Sequence, residues 1–189
     1  GSRAATPAGL EAAALFAREL GQAGLVIVSG MALGIDAHAQ RACIVAGGQT
    51  VAVFGTGCDV VHPQRHLNLS REIAANGLLL SEFPLGTRPF PGNFPRRNRV
   101  ISGLTLGTLV VEAAERSGTL ITARFAAEQG REVFVVPGSI FSRRSEGCHA
   151  LIREGAALVR APGDVLAELG FAPHVTVKAS RTLPVAESR

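Results

Sequence analysis

Short apolar, β-branched runs that each lead through a glycine turn into a helix set the strongest constraint on this chain. Leu25-Val26-Ile27-Val28 runs into Ser29-Gly30, Thr50-Val51-Ala52-Val53-Phe54 into Gly55-Thr56-Gly57, and Thr108 to Val111 leads on towards Ser117-Gly118. Strands without polar alternation are buried on both faces, and such strands belong to parallel sheets covered by helices. Helical spacing fills the intervals, over Ala8 to Gln22, Ile35 to Val45, Gln64 to Ala75, Asn98 to Ser102, Thr119 to Gln129, Gly147 to Glu154 and Gly163 to Leu169. Further strands are expected at Leu78 to Leu80, Glu132 to Val136 and Ala157 to Val159. The reading is an α/β fold with a doubly wound, mostly parallel sheet, an extended Rossmann-like arrangement.

This core is expected over residues 1–170, followed by a linker or tail over 171–189 that lacks periodicity. A Rossmann-like unit starts with a strand ahead of its first glycine turn. The chain opens on Gly1-Ser2-Arg3, so the core is expected to lack that first strand and, with it, part of its own sheet.

Apolar residues make up 47% of the chain and charged residues 18%, which excludes wholesale disorder. No run approaches the ~18 apolar residues of a membrane span, and a secretory leader is not expected from the Gly1-Ser2-Arg3 opening. Three scattered cysteines, Cys43, Cys58 and Cys148, argue against a disulfide framework and a paired-cysteine zinc site. A cytoplasmic protein with no membrane partner, no metal and no cofactor is expected.

Charge is more informative. The only lysine is Lys178, so nearly all of the 19 basic residues are arginines, and the net charge is +4. No acid stands between Glu82 and Glu112, whereas Arg88, Arg96, Arg97 and Arg99 do. Two readings stay open on charge alone: an anionic partner, or a solvated loop whose arginines meet acids brought near by folding.

Open α/β sheets bind ligands at the carboxyl ends of their strands. Three glycine turns fall there: Ser29-Gly30-Met31-Ala32-Leu33-Gly34-Ile35-Asp36, Gly55-Thr56-Gly57-Cys58-Asp59 and Ser117-Gly118-Thr119. In the first, the helix N-terminus is expected to present free N–H groups to an anion. Each turn alone is compatible with a purely structural role. Together, beside the arginine cluster, they favour a phosphate-bearing ligand. Phe94-Pro95-Arg96-Arg97-Asn98-Arg99 reads as an aromatic, a rigid turn and three guanidinium groups able to grip phosphate or stack on bases. Phe90 and Phe94 either stack on bases or plug the core. Asp36 reads as a charge or cap at its helix N-terminus and His38 as a packed histidine, since residues two apart on a helix do not share a face. Glu112, near Glu115, reads as a hydrogen-bonding anchor for the basic loop.

These motifs resemble the DprA/Smf family, the DNA-processing proteins of bacterial natural transformation. The likeness covers Gly1 to Leu169. It rests on Gly1-Ser2-Arg3 with Thr6-Pro7, on the 29–38 and 55–59 turns with Pro63 and Asn68, and on Ser81-Glu82. It continues through Phe94 to Gly103, Val111-Glu112-Ala113, Ser117 to Ala123, Glu128 to Val133 and Val136-Pro137-Gly138, in one order. The resemblance implies a single-stranded DNA-binding protein, without catalytic activity, that protects incoming strands, forms a homodimer and helps to load the recombinase RecA. Carried over by motif, the DNA contacts are Arg3, Ser29, Gly30, Gly34, Arg65, Asn68, Arg96, Arg97, Asn98, Arg99, Ser117, Gly118 and Thr119. The implied dimer surface includes His149, Ile152 and Leu158.

There are two departures. His62 stands where the family usually has Tyr, which weakens stacking there. Family members often carry an N-terminal helical domain and a C-terminal winged-helix domain, and Leu183-Pro184-Val185-Ala186-Glu187 resembles the start of the latter. The competing reading is a nucleotide-processing enzyme resembling the phosphoribohydrolases that activate cytokinins. Their signature carries a catalytic glutamate, and here Thr122 holds its place. A dinucleotide-dependent oxidoreductase lacks its glycine fingerprint.

Overall fold

Six short parallel strands and seven helices alternate along residues 1–171, the part of the chain that the computed structural model describes. Helix α1 (Pro7–Gln22) leads to β1 (Ile27–Ser29), α2 (Ile35–Val45), β2 (Thr50–Phe54), α3 (Leu67–Asn76) and β3 (Leu78–Ser81). Then come α4 (Asn93–Gly103), β4 (Gly107–Val110), α5 (Gly118–Glu128), β5 (Glu132–Val135), α6 (Glu146–Arg153), β6 (Ala157–Leu158) and α7 (Pro162–Glu168). The anticipated tail, apart from Phe171, lies outside the described residues.

The strands form two sheets rather than one, β1-β2-β3 and β4-β5-β6, both parallel throughout. Strand β5 shows the two-sided burial that the apolar runs imply. Phe134 packs with Phe16, Leu20, Val159 and Val165, from α1 and the α7 side. Its neighbour Val135 packs with Val110, Ala123 and Cys148, from the α5 and α6 side. In the first sheet, Ala52 and Phe54 of β2 pack with Met31, Leu69 and Ile73. Helices α1 and α2 lie close together, and the Gly21 Cα stands where a Cβ would come 3.0 Å from the Cys43 sulfur.

Most boundaries shift by one to three residues, and the largest difference is at α4. The helix expected over Asn98 to Ser102 starts five residues earlier, at Asn93, and takes Phe94-Pro95-Arg96-Arg97 into its first turns. Proline is tolerated there because the N–H it lacks would have had no partner inside the helix. What reads as a rigid turn is therefore the beginning of α4, which fixes the directions in which its arginines leave the backbone.

Strands β1 and β4 each end their sheet, and both line one groove of about 1000 Å³. Leu25, Val28, Ile101, Leu104, Leu109 and Phe134 give it an apolar body. The bond from Ile27 N–H to Gln49 O points that residue at β2, so the alternate residue Val28 turns its peptide groups to the groove. The Thr108 hydroxyl on the opposite wall is buried without a hydrogen-bond partner. Two facing strand edges of this kind can accept a further strand. The chain extended N-terminally by a strand's length should be more soluble and melt higher than the 189-residue chain. Equal thermal midpoints would show that the groove gains nothing from a strand.

Candidate nucleic-acid interface

The carboxyl end of the groove is polar, and Arg97 is the reason for its shape. This residue of α4 is only 6% exposed. Its guanidinium donates to the Gly30 carbonyl at 3.3 Å and to the Val53 carbonyl, and its Nε donates to Asn98 Oδ1 at 3.2 Å. The first glycine turn, the end of β2 and α4 are thereby joined at one buried cation. Glycine at position 30 makes room for it: a Cβ there would come 2.5 Å from the guanidinium. Burial pushes the Arg97 pKa down, Asp36 pulls it back up and Arg3 opposes.

Asp36, in the first turn of α2, supplies the compensating charge. Its carboxylate accepts from the Gly30 and Ala32 amides at 3.2 and 3.4 Å and lies 3.4 Å from the Gly1 amine. Burial pushes its pKa up, but the amine, the Arg97 guanidinium and hydrogen bonds from Ser29 and Ala32 outweigh this and hold it below the ordinary carboxylate value. The anticipated free N–H groups of this turn are therefore largely committed. Gly30 and Ala32 donate to Asp36, and Ile35 at the start of α2 donates to the Ser2 carbonyl at 3.2 Å. Gly34 has φ +77°, which favours glycine, and a Cβ there would meet the Arg3 carbonyl carbon at 3.0 Å.

Arg3 itself is exposed and lines the groove, together with Ser29, Asn98, Ser117, Gly118 and Thr119. The third turn is the open one. Ser117 caps α5 by accepting from the Thr119 amide at 3.2 Å, and nothing approaches the Gly118 Cα within reach of a Cβ. Asn98 Nδ2 reaches the Gly118 carbonyl at 3.5 Å.

Arg65, Asn68, Arg96 and Arg99 are exposed but do not line the groove. Arg65 sits in a helical turn ahead of α3, whose His66 bonds the Met31 carbonyl at 2.9 Å. Arg96 lies over the Phe83 ring, 5.9 Å from its centroid. Arg99 is paired with Glu82 at 2.5 Å, so the second reading of the charge pattern holds for this one arginine. Being exposed, that pair adds little stability. His62, whose place in the sequence weakens the case for stacking, has its ring 5.3 Å from that of Phe94 at a tilt of 34°.

Two expectations are corrected. His38 is not packed: it is exposed, its Nδ1 3.0 Å from the Gly34 carbonyl of its own helix. Glu112 anchors a segment, but not the basic loop. Its buried carboxylate accepts from the Thr6 amide at 3.1 Å and from the Thr6 hydroxyl, which holds the Arg3 segment. Arg144, given no role by its sequence position, donates from Nε to the Ala4 carbonyl at 2.5 Å. A contact between residues 140 positions apart leaves no local pattern to read.

A parallel α/β domain in which helices alternate with strands in this way has a Rossmann-like fold. Its family is defined by comparison: residues 1–170 match the family described as DNA recombination-mediator protein A, and the chain belongs to that family. The Smf protein of Escherichia coli K12 is 50% identical over 175 residues, covering 92% of this chain and 47% of its own length. The crystal structure of DprA from Streptococcus pneumoniae superposes with a TM-score of 0.83 at 46% identity, over 89% of this chain and 59% of its own. The DprA structure from Helicobacter pylori, which concerns single-stranded DNA binding by that protein, gives 0.82 at 32% identity, over 89% and 77%. The chain spans about half the length of the curated relatives it matches.

Replacing Arg97 by Met would leave the buried Gly30 and Val53 carbonyls without their donor and remove one positive charge that acts on Asp36, a loss of about 1–3 kcal/mol. The loss should depend on pH. The folded-state pKa of Asp36 is depressed, so the stability it contributes is present above its ordinary value and lost as pH falls through the lower folded value. The gap between wild type and Arg97→Met should therefore be largest near neutrality and narrow in acid. Denaturant unfolding from neutral to acid pH measures it, and a gap constant across that range would show that Asp36 and Arg97 are not coupled.

Proposed function

We propose that this domain binds single-stranded DNA through the polar end of its groove and the arginines around it. On this reading the whole protein acts in the cytoplasm as a DprA/Smf-type homodimer. It protects incoming strands and helps to load RecA during natural transformation and recombination, as a binder rather than a catalyst. The observation that carries the reading is the joint placement of exposed Arg3, Asn98 and the open Gly118 turn on one groove wall set. Arg65 and Arg96 add positive charge outside it, while the charge of Arg99 is met by Glu82. The DNA-binding relative from Helicobacter pylori supports it by likeness. Open backbone turns flanked by phenylalanines suit flexible, splayed nucleotides better than a stiff duplex.

The arginines divide into two sets with different expected behaviour. Arg3, Arg65 and Arg96 are exposed and can each neutralise a phosphate, whereas Arg97 is committed to carbonyls and Arg99 is paired with Glu82. With about three or four phosphates neutralised, log K should fall with log salt at a slope of roughly −2 to −3, from about −0.7 per phosphate on single strands. Arg3→Ala and Arg96→Ala should each flatten this by about 0.7 and weaken all sequences alike. Gel-shift titrations at several salt concentrations, with single- and double-stranded oligonucleotides, test it. Equal affinity for duplex, or slopes unmoved by both substitutions, would overturn the site.

For the dimer, Leu158 is 47% exposed, whereas Ile152 is half-buried against the cluster around Val110 and Cys148. His149 is half-buried with its Nε2 3.0 Å from the Gly138 carbonyl. Burying a Leu side chain gains roughly 1.5–3 kcal/mol, and a two-fold interface counts each substitution twice. Leu158→Arg should give a monomer by light scattering with an unchanged melting point, while Ile152→Arg should also lower the melting point. A Leu158→Arg dimer would place the interface elsewhere.

A further inference from the structure

The Arg3 segment is fastened at points on both sides of that residue, and one fastening comes from outside every motif of the site. The Ser2 carbonyl, one residue before Arg3, accepts from Ile35 N–H at 3.2 Å. The Ala4 carbonyl, one residue after, accepts from Arg144 Nε at 2.5 Å. Thr6 closes the segment through both its amide and its hydroxyl on the Glu112 carboxylate. Glu112 is well placed for this. It is buried at the N-terminus of α1, where Thr6 is the cap and accepts from the Gly9 amide at 3.0 Å. Free amides and the helix dipole suit a carboxylate there.

Arg144 and Glu112 are also tied to each other's chain segments. The Ala113 amide donates to the Arg144 carbonyl at 2.8 Å, and the Gly147 amide donates to the Ala113 carbonyl at 2.9 Å. The residue after Glu112 thus fixes the backbone of Arg144, and the two anchors form one clasp across the Arg3 segment. A flexible arginine loses much of its ion-pairing advantage to the entropy of ordering it. Pinning its backbone on both sides removes part of that loss before any ligand arrives.

We propose that Arg144 is a positioning residue for Arg3: it touches no ligand itself but holds the Ala4 peptide so that the Arg3 guanidinium stands over the groove. This rests on the reading of Arg3 as a phosphate contact. It predicts a behaviour that a second phosphate contact or a general electrostatic contribution from Arg144 would not show. Arg144→Ala should weaken single-strand binding by about five- to tenfold, the scale of one ordinary net hydrogen bond. The same change made in the Arg3→Ala background should have almost no effect, because the group being positioned is gone. Arg144→Lys, which keeps a donor and the charge, should restore most of the affinity.

The test is a double-mutant cycle on the full-length protein, using Arg3→Ala, Arg144→Ala and the pair, with a single-stranded oligonucleotide at several salt concentrations. Trypsin cleavage of the Arg3–Ala4 bond, followed by mass spectrometry without DNA, reads the clasp directly. Arg144→Ala should speed that cleavage several-fold at an unchanged melting point. Cleavage at the wild-type rate would overturn the clasp. A loss of affinity that survives in the Arg3→Ala background would make Arg144 a contact in its own right and overturn its positioning role. If the wild type failed to bind single strands while cleavage still accelerated, the DNA reading would fall and the clasp would stand.

Discussion

A guanidinium in a protein interior has to be met on all sides, and meeting Arg97 organises the carboxyl edge of this domain. Burial disfavours the charge and Asp36 from α2 favours it, and the guanidinium donors reach carbonyls of the turn after β1 and of β2 itself. No single chain segment could supply these partners. The cation therefore has to be enclosed by the ends of two strands and two helices, and its burial fixes their spacing. Gly30 is part of the same requirement, because the guanidinium occupies the space a side chain would take. An isolated charge here would be costly, and the Gly30 and Val53 carbonyls and the Asn98 side chain are what meet it.

That commitment decides what remains for a ligand. Asp36 takes the Gly30 and Ala32 amides, and the Ser2 carbonyl takes that of Ile35, so the first turn turns its donors inward. The turn before α5 differs because Ser117 uses its own side chain as the cap and leaves Gly118 open. The amides of Ser117, Thr119 and Leu120 are likewise bonded within the third turn, to the Ala114 carbonyl, the Ser117 hydroxyl and the Ser117 carbonyl, so Gly118 is the position that turn leaves open.

Most of the fold was legible because its signals are local. The β2 strand was placed residue for residue at Thr50 to Phe54, and α2 at Ile35 to Val45. The start of α4 was not, since proline usually marks a break and only its position in the first turn makes it harmless. Of the candidate residues, the structure gathers some in one groove and leaves Arg65, Asn68, Arg96 and Arg99 outside it. Arg3, Ser29, Arg97, Asn98, Ser117, Gly118 and Thr119 do line one groove. But a run such as Arg96-Arg97-Asn98-Arg99 presents three chemically equal guanidiniums, and a helix sends each in a different direction. One is buried, one lies over a phenylalanine and one pairs with Glu82. Sequence spacing carries that division only once the helix boundary is known. Contacts such as Arg144 to Ala4 depend on where distant loops meet, which no local pattern encodes.

The two half-sheets and the arginine site are parts of one geometry. The groove that separates β1 from β4 is apolar along its length and polar at the carboxyl end, where Arg3, Asp36, Arg97 and Gly118 line it. Strand ends on opposite sides of that groove carry the two halves of the site: β1 leads to Gly30 and Asp36, and β4 leads to Glu112 and then to Gly118. The distance between the halves is therefore set by what bridges the groove rather than by a continuous sheet ladder. Among the described residues, the segment from Ser2 to Thr6 is such a bridge. It bonds to Ile35 on the first side and to Glu112 on the second. That short segment crosses between the two sheets and carries the exposed Arg3 as its second residue, so the place of Arg3 depends on anchors from both.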